Sequence, residues 1–365
     1  MKIKAYVVHE KNGPYLLEDV ELSEPTANEI LVRNVASGIC HTDEFGRSQG
    51  IEIALPLVLG HEGAGIVEKV GQDVKEFKPG DHVAFSYAFC DHCNSCAAGE
   101  PNYCESYNQI NFGGVAADGK TKIFQNGQPV SMFFGQSSFA THSIVNQKSA
   151  VKVDDDVDLT LVAPLGCGVQ TGAGTVLNTL KPAMASSIAV FGCGSVGLSA
   201  IMAAKVARCR TIIAVGGNEK SLELARELGA THTVNRKQRP DITDAVKEIT
   251  GGQGVNYAVD TSGHGPMIDA ALKALKFHGT LVVLAPSGII EQFQAGDDVL
   301  MNMTTIKGVC EGDALAKVFI PELVSLYKKG EFPLDKLVTV YDFKDLEKAV
   351  DDSNNGRVIK AVVKM

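Results

Sequence analysis

Four cysteines stand close together in the segment CDHCNSCAAGEPNYC, residues 90–104. They are Cys90, Cys93, Cys96 and Cys104, in the spacing C-x2-C-x2-C-x7-C. Such short spacings let four thiolates converge on one ion from a single loop, and four thiolates close the tetrahedral shell of a structural zinc ion. Gly99 and Pro101 predict that this loop is a lobe rather than a helix or strand.

Two other interpretations of this cluster remain open. An iron–sulfur cluster is one, because the spacing of the first three cysteines resembles that of ferredoxins. Glu105 stands where a proline usually follows the fourth ferredoxin cysteine, which counts against it. The other is a set of free surface thiols with accidental spacing. The pattern favours structural zinc.

A second set of soft ligands is spread over three glycine-flanked segments. ASGICHTDE contains Cys40, PLVLGHEGAG contains His61, and LVAPLGCGVQTG contains Cys167. Two thiolates and one imidazole leave a fourth tetrahedral position open, as in catalytic zinc sites. A metal there polarises an alcohol or carbonyl oxygen. Each residue alone has a simpler explanation, since a lone cysteine is usually a packing residue. Together they predict an open zinc site.

A glycine-rich turn joins a strand to a helix in SSIAVFGCGSVGLSAIMAAKVA, residues 186–207. Gly192, Gly194 and Gly197 form the G-x-G-x-x-G pattern in the context that a dinucleotide fingerprint requires. These glycines let the backbone approach a pyrophosphate at the helix N-terminus. TIIAVGGNEKSLELARELGATHTVN continues with strand, turn and helix, and NYAVDTSG, GTLVVLAPSG and TTIKGVC predict further strands. Glycine turns in a plain α/β domain are the alternative.

The turn after the second of these strands lacks the acidic residue that normally binds the adenosine ribose of NAD. Gly216 and Gly217 stand there instead, followed by Asn218, Glu219 and Lys220. Without a carboxylate at the strand end, a 2′-phosphate is not repelled, and Asn218 or Lys220 can donate to it. The sequence therefore favours NADP(H), although no arginine lies in the turn. NAD(H) bound without its usual ribose contact is the alternative.

Length, charge and hydropathy limit the number of domains, the kind of partner and the location of the protein. A chain of 365 residues is too long for one hydrophobic core, which predicts two domains. A net charge of −9 without a basic run argues against a nucleic-acid partner. No apolar stretch approaches the roughly 20 residues of a membrane span, and MKIKAYVVHE alternates like a strand rather than a signal peptide. We therefore expect a cytoplasmic protein, where disulfides are disfavoured.

With these motifs assembled, the chain resembles the zinc-dependent medium-chain alcohol dehydrogenases over essentially its whole length. GHEGAGIVEKVGQDV, residues 60–74, fits the zinc signature of that family. GICHTD, SYAFCDHC, FFGQSSFATH and PLGCGVQTGAG are most similar to the aryl-alcohol (benzyl-alcohol) dehydrogenase branch. The resemblance implies an α/β protein with a β-rich GroES-like catalytic domain, residues 1–168 and 312–365. It also implies a Rossmann domain with a doubly wound parallel sheet over residues 169–311.

The same resemblance implies a role for individual residues. It makes Cys40, His61 and Cys167 the catalytic zinc ligands. Asp43 would orient His61, and Glu62 would lie behind the metal as a transient ligand. Thr42 would hydrogen-bond the substrate hydroxyl and begin the proton relay. The implied cofactor contacts are His41 and Lys360 on the phosphates, and Thr171 and Val196 on the nicotinamide ring.

Two departures from the family pattern stand out. Phe45 replaces the relay histidine that some members carry, and Gly216 replaces the cofactor-selecting aspartate. Simpler roles also remain for several residues. Asp43 and Glu62 can be solvated carboxylates, and Thr42 can be a helix N-cap. The aromatic candidates for an apolar substrate cleft, which can equally be core residues, are Phe45, Phe85, Tyr87 and Phe133. We assign Cys193, Cys209 and Cys310 to packing.

The expected activity is reversible oxidation of a primary alcohol, aromatic or allylic, to its aldehyde. The expected cofactors are two zinc ions per subunit and a nicotinamide dinucleotide, and the expected assembly is a homodimer or homotetramer. A polyol or S-hydroxymethylglutathione dehydrogenase is the first alternative. A non-enzymatic nucleotide-binding redox sensor on the same scaffold is the second.

Overall fold

The computed structural model describes residues 1–285, 289–291 and 293–365. The strands are β1 (Lys2–Val8), β2 (Leu16–Leu22), β3 (Glu29–Gly38), β4 (Leu57–Val58), β5 (Glu62–Val70), β6 (His82–Phe85), β7 (Ile123–Gln125), β8 (Gln128–Val130), β9 (His142–Asn146), β10 (Ala150–Val153), β11 (Ser187–Phe191), β12 (Thr211–Gly216), β13 (His232–Asn235), β14 (Val255–Asp260), β15 (Leu275–Val283), β16 (Thr305–Gly308), β17 (Val338–Asp342) and β18 (Lys360–Lys364). The α-helices are α1 (His41–Arg47), α2 (Asn94–Ala97), α3 (Tyr107–Phe112), α4 (Leu159–Val162), α5 (Gly168–Gly174), α6 (Ser195–Val206), α7 (Glu219–Leu228), α8 (Ile242–Ile249), α9 (Gly265–Lys273), α10 (Ala316–Lys328) and α11 (Leu346–Asn354).

The chain divides into two compact units. The first contains Met1–Gly168, Leu315–Leu326 and Leu334–Met365, and the second contains Val169–Ala314 and Tyr327–Pro333. The tail forms the strand β17, the helix α11 and the strand β18. β18 pairs antiparallel with β3, so that Val362 lies opposite Gly38. This pairing brings the end of the tail to the strand that precedes Cys40.

The first unit is built from antiparallel sheets. One has the strand order β4-β1-β2-β7-β8, and the other has β10-β6-β5-β3-β18-β17 with β9 also paired to β3. β1 shows why such strands form, because its first residues alternate between exposed lysines and buried Ile3 and Ala5. Buried residues from β1, β2, β7 and β9 share one core cluster, and those from β3, β5, β6 and β10 share another. This architecture agrees with the expected β-rich GroES-like domain.

The second unit contains a six-stranded parallel sheet in the order β13-β12-β11-β14-β15-β16. This is the doubly wound order of a Rossmann fold, with the reversal between β11 and β14. The continuous apolar strands are explained by burial on both faces of the sheet. Residues 286–288, at the end of the strand expected over 279–288, lie outside the described part of the chain. The observed strand β15 ends at Val283.

Steric constraints explain why glycines occupy the strand–helix turn. Gly192 has φ +109°, a conformation that side chains rarely adopt. A Cβ at Gly197 would lie 1.9 Å from the Gly192 carbonyl oxygen, so helix α6 can follow β11 this closely only without a side chain. The prediction of a strand, a glycine turn and a helix is confirmed.

The four-cysteine segment differs in one detail from the expected irregular lobe. It contains the single helical turn α2 and a 3-10 turn at Pro101–Tyr103. The Ala97 amide donates to the Cys93 carbonyl at 2.9 Å and closes the helical turn. The expectation of no helix was therefore wrong here, because one hydrogen-bonded turn fits between closely spaced cysteines. Within the described residues, no helix is both long and apolar enough to cross a membrane.

Candidate functional site

The first unit brings together the three ligands of the predicted open site. One ligand atom each of Cys40, His61, Glu62 and Cys167 lies within 4.8 Å of the others. Cys40 precedes helix α1, His61 immediately precedes strand β5, Glu62 begins that strand, and Cys167 follows a 3-10 turn. His61 Nε2 is buried and has no hydrogen-bond partner. A buried nitrogen without a partner beside two thiols fits the donor set of a zinc ion.

Asp43 ties two ligand segments together. Its Oδ1 lies 2.8 Å from His61 Nδ1 and accepts from the Gly60 amide at 3.0 Å. Its Oδ2 accepts from the Cys40 amide at 3.1 Å. Since the carboxylate accepts a hydrogen bond from Nδ1, that nitrogen carries the proton and Nε2 offers its lone pair to the cluster. Asp43 is 0% exposed, so the alternative of a solvated carboxylate is wrong.

The electrostatics of this site favour ionised ligands. A hydrogen bond with Cys167, followed by the influence of His61, holds the pKa of Cys40 well below its ordinary value. Burial alone would lower the pKa of His61, but Asp43 and Cys40 outweigh it and raise that pKa well above its usual range. The thiolate is the form of cysteine that binds metals. The thiolates therefore attract a cation, and His61 must release its second proton before Nε2 can bind one.

The four cysteines of residues 90–104 also converge. One sulfur from each lies within 4.8 Å of the others, and all four are free thiols. The Cys90 and Cys96 sulfurs are 3.9 Å apart, and those of Cys93 and Cys104 are 4.0 Å apart. Backbone amides of Cys96 and Glu105 lower the pKa of Cys93 to about 6. Four sulfurs at this separation fit a closed tetrahedral metal shell.

The second unit presents the predicted dinucleotide residues at one edge of its sheet. Gly192 and Gly194 connect β11 to α6, and Val196 and Gly197 lie in the first turn of that helix. A Cβ at Gly172 would lie 2.0 Å from the Val196 carbonyl oxygen, so α5, which carries Thr171, runs against this turn. Parallel strands direct their carboxyl ends, where ligands bind, to the same edge.

The end of β12 has the composition that the sequence indicated. Gly216 is buried at the strand end, and the Asn218 side chain caps α7 by accepting from the Lys220 amide at 3.0 Å. Arg236, which was not a predicted site residue, also reaches this turn. Its Nε would lie 3.0 Å from a Cβ on Gly217. The parallel pairing of β12 with β13 was the available signal, because it places residues after Asn235 beside Gly216.

Comparisons with known proteins follow the same division of the chain. The alcohol dehydrogenase GroES-like domain matches residues 26–155, and the zinc-binding dehydrogenase domain matches residues 195–328. Geraniol dehydrogenase of Castellaniella defragrans is 40% identical over 365 residues, which cover 99% of this chain and 97% of that protein. The chain belongs to the zinc-binding alcohol dehydrogenases.

Solved structures support this membership. Benzyl alcohol dehydrogenase from Acinetobacter calcoaceticus is 43% identical with a TM-score of 0.95, over 100% of this chain and 99% of that chain. An alcohol dehydrogenase zinc-binding domain protein from Burkholderia ambifaria is 42% identical with a TM-score of 0.95 and the same coverage. This alcohol dehydrogenase is therefore an enzyme that acts on small alcohols or aldehydes. Its matched domains imply zinc and a nicotinamide cofactor.

Lys360 of this alcohol dehydrogenase has different contacts from those expected. Its ammonium donates to both carboxylate oxygens of Glu62, at 2.9 and 2.8 Å, and to the Ile39 carbonyl at 3.0 Å. The side chain is 3% exposed, and three acceptors use its three protons. The predicted phosphate contact is thus replaced by a buried ion pair, since two opposite charges removed from water pair with each other.

Glu62 lies between this ion pair and the metal ligands. It is fully buried, so the solvated alternative is wrong for Glu62 as well. Its Oε1 also accepts from the Gly168 amide at 3.1 Å. Burial raises the pKa of Glu62 to about 7, although Lys360 opposes the shift. The Glu62 carboxylate therefore lies close enough to the thiols and His61 to bind the same cation.

Aromatic side chains surround the imidazole. The Phe134 ring stacks on His61 with centroids 4.6 Å apart, and Phe133 lies edge-on at 5.5 Å. Sequence reasoning included Phe133 but missed Phe134, and the adjacent FFG was its only local signal. Of the other predicted aromatics, Phe45 is 40% exposed, while Phe85 and Tyr87 are buried.

Helix α1 decides between the two interpretations of Thr42. Cys40 occupies the N-cap position, and Thr42 is the second helical residue, so the N-cap alternative is wrong. Thr42 Oγ1 lies 3.6 Å from Cys40 Sγ. His41, at the start of the helix, is exposed. The hydroxyl of Thr42 is therefore held beside a ligand of the open site.

Proposed function

We propose that this enzyme reversibly oxidises a primary aromatic or allylic alcohol to its aldehyde. The observation that carries the proposal is the open ligand set, in which His61 Nε2 lacks a partner while Phe134 stacks on the ring. An unsaturated alcohol suits an aromatic neighbourhood because its own π system packs well there. The relatives named for geraniol and benzyl alcohol support this class, and they give no support to a polyol or glutathione-adduct substrate.

Cys40, His61 and Cys167 would hold the catalytic zinc, and the four-cysteine cluster a structural one. When bound, the catalytic zinc would polarise the alcohol oxygen and favour loss of its proton. Asp43 keeps the proton on His61 Nδ1 and thereby directs Nε2 into the site. Glu62, with its pKa near 7, is placed to act as a transient ligand.

Thr42 would handle the substrate proton. Its hydroxyl lies next to Cys40, so it can accept a hydrogen bond from the substrate hydroxyl and pass a proton outward. Phe45 has no acid–base group and cannot continue the relay. The proton therefore leaves Thr42 without a histidine at that position.

The dinucleotide would occupy the second unit, and the first unit would be the catalytic domain. When bound, the nicotinamide would supply the hydride acceptor. Gly192, Gly194 and Gly197 permit close approach of its pyrophosphate, and His41 would contact the phosphates. Thr171 and Val196 would pack on the nicotinamide ring. The absence of a carboxylate at Gly216 favours NADP(H) over NAD(H).

A substrate panel tests the proposed activity. Benzyl alcohol, geraniol, sorbitol and S-hydroxymethylglutathione are compared with NAD⁺ and NADP⁺, after zinc per chain is measured. We expect turnover of the first two alcohols and its loss in Cys40→Ser. Cys209→Ala, a cysteine outside both clusters, should keep it. Preference for sorbitol or the glutathione adduct would refute the substrate class, and cofactor binding without any turnover would favour the redox sensor.

We further propose a cytoplasmic homo-oligomer, either a dimer or a tetramer built from dimers. Strand β16 is the sheet edge, and its residues are exposed. Phe277, Leu300 and Met301 nearby are 65%, 64% and 68% exposed. An unpaired edge beside apolar side chains favours pairing with a second copy. Light scattering of the wild type and of Met301→Lys tests this, and a monomeric wild type would refute it.

A further inference from the structure

Arg236 reaches the end of β12 from the neighbouring strand. β13 ends at Asn235, which pairs with Gly216, and the Arg236 amide then donates to the Gly216 carbonyl at 2.9 Å. The guanidinium lies against Gly217, where a Cβ would approach its Nε to 3.0 Å. The guanidinium can lie over this turn because Gly217 carries no side chain.

The charges around the turn leave two cations available. Among the ion pairs of the described residues, neither Arg236 nor Lys220 has a carboxylate partner, and both side chains are exposed. Two of the neighbouring acidic groups have partners elsewhere, whereas Asp244, which lines the cavity beside Arg236, has no ion pair among the described residues. Glu219 accepts from the Asn235 side chain at 2.8 Å, and Asp241 pairs with Arg239 at 2.7 Å. Arg236 and Lys220 at the end of β12 therefore carry positive charges that no direct ion pair among the described residues neutralises.

A cavity of about 400 Å³ adjoins Arg236. Its wall includes the apolar side chains of Ile242, Pro266 and Met267, at the starts of helices α8 and α9. It also includes the carboxylates of Asp241, Asp244 and Asp269. Flat apolar ring systems bind between such side chains, and a few polar groups at the rim fix their orientation. Arg236 is thus a cationic group on the wall of a cavity that suits a purine.

We propose that Arg236 determines cofactor choice by binding the 2′-phosphate of NADP(H), with Lys220 as a second cation. The guanidinium fits a phosphate because its planar fork donates two parallel hydrogen bonds to two oxygens. The turn lacks the carboxylate that would repel that phosphate. This inference rests on the proposed use of a nicotinamide dinucleotide and adds the residue that selects between its two forms.

Calorimetric binding of two nucleotides tests the inference without any alcohol. Adenosine 2′,5′-bisphosphate and adenosine 5′-monophosphate differ only in the 2′-phosphate. The wild type should bind the bisphosphate more tightly. Arg236→Gln should weaken that binding by about tenfold to a hundredfold, the range for charge-assisted hydrogen bonds, and leave the monophosphate affinity unchanged. Lys237→Gln, an adjacent exposed cation, is the matched control and should change neither affinity.

A second variant tests the same residue by placing a negative charge beside it. Gly217→Asp places a carboxylate against the Arg236 guanidinium, which can shift because it is the far end of a flexible side chain. The bisphosphate should lose its advantage and the monophosphate should keep its affinity. In turnover, Arg236→Gln should raise the KM for NADP⁺ by the same factor as the lost affinity, with little effect on kcat.

Three results would overturn the inference. They are equal binding of both nucleotides by the wild type, equal weakening of both in Arg236→Gln, and weakening of the monophosphate by Glu219→Gln. The last would mean that Glu219 binds the ribose hydroxyls as an NAD site does. Because binding is measured without substrate, failure of the proposed alcohol chemistry leaves this result interpretable.

Discussion

Replacing Asp43 by asparagine tests how the open site holds its metal. The carboxylate accepts from His61 Nδ1, the Gly60 amide and the Cys40 amide, at 2.8, 3.0 and 3.1 Å. Asparagine keeps the shape but turns one of the two acceptor oxygens into a donor. Either His61 or the Cys40 amide then faces an N–H group in a fully buried position.

Two independent estimates give the size of the effect. Leaving one buried donor unpaired costs about 1–3 kcal/mol. Loss of a hydrogen-bond partner behind a metal-bound histidine typically weakens metal affinity by about 10- to 100-fold, or about 1.4–2.8 kcal/mol. We therefore expect Asp43→Asn to bind the catalytic zinc about 10- to 100-fold more weakly.

Chelator titration with elemental analysis of retained zinc measures this change. The four-cysteine cluster, which Asp43 does not contact, serves as an internal reference within the same chain. The variant should fall to one zinc per chain at chelator concentrations where the wild type retains two. Asp155→Asn, an exposed carboxylate, is the matched control and should behave as the wild type.

Release of zinc by Asp43→Asn at the same chelator concentration as the wild type would show that the Asp43 carboxylate does not strengthen metal binding. Thermal unfolding of the zinc-free proteins separates a folding defect from a loss of affinity. A variant that is much less stable without metal would show that Asp43 supports the fold rather than the ligands.

Three further predictions concern stability. Lys360→Met should lower the free energy of unfolding by about 3–5 kcal/mol, because it leaves the Glu62 carboxylate buried without its partner. In urea unfolding, adding Glu62→Gln should restore part of this free energy. An unchanged urea midpoint in Lys360→Met alone would contradict the prediction. Cys93→Ser should lose one zinc and several degrees of thermal midpoint while the remaining folded enzyme keeps its kcat; loss of kcat at unchanged stability would assign the cluster a chemical role. Burial raises the pKa of Asp81, but hydrogen bonds from Lys152 and the Lys78 amide outweigh burial and hold that pKa below its ordinary value. The Asp81 carboxylate therefore stabilises the fold above the unfolded pKa of about 3.9, and this contribution disappears as pH falls through the folded pKa. Asp81→Asn should therefore cost about 1 kcal/mol at pH 7 and progressively less below pH 4, and a pH-independent difference in urea midpoint would refute the linkage.

The parts of the site that sequence could predict are local or belong to a strong pattern. The thiols of residues 90–104 are neighbours in the chain, so their spacing alone predicts a common ion. The glycines after β11 are likewise read from one strand, turn and helix. Cys40, His61 and Cys167 converge from three segments, and the family resemblance was needed to join them firmly.

The contacts that sequence missed depend on strand pairing across long distances. Lys360 meets Glu62 because β18 pairs with β3, and no local pattern specifies that register. Arg236 meets Gly217 because β13 lies parallel to β12. Phe134 adopts φ +53°, which turns its ring onto His61, and an FF pair alone does not predict that geometry.

The Glu62–Lys360 pair implies that the two proposed metal sites are completed at different stages of synthesis. A growing chain presents all four thiols of the lobe within fifteen residues, so that loop can capture its ion early. Lys360, the ammonium partner of Glu62, is synthesised 298 residues later. Until then the carboxylate stays hydrated or protonated, and the open ligand set lacks its final neighbour. The four thiols are therefore available early in synthesis, whereas the open ligand set gains the Glu62–Lys360 ion pair only when strand β18 pairs with β3.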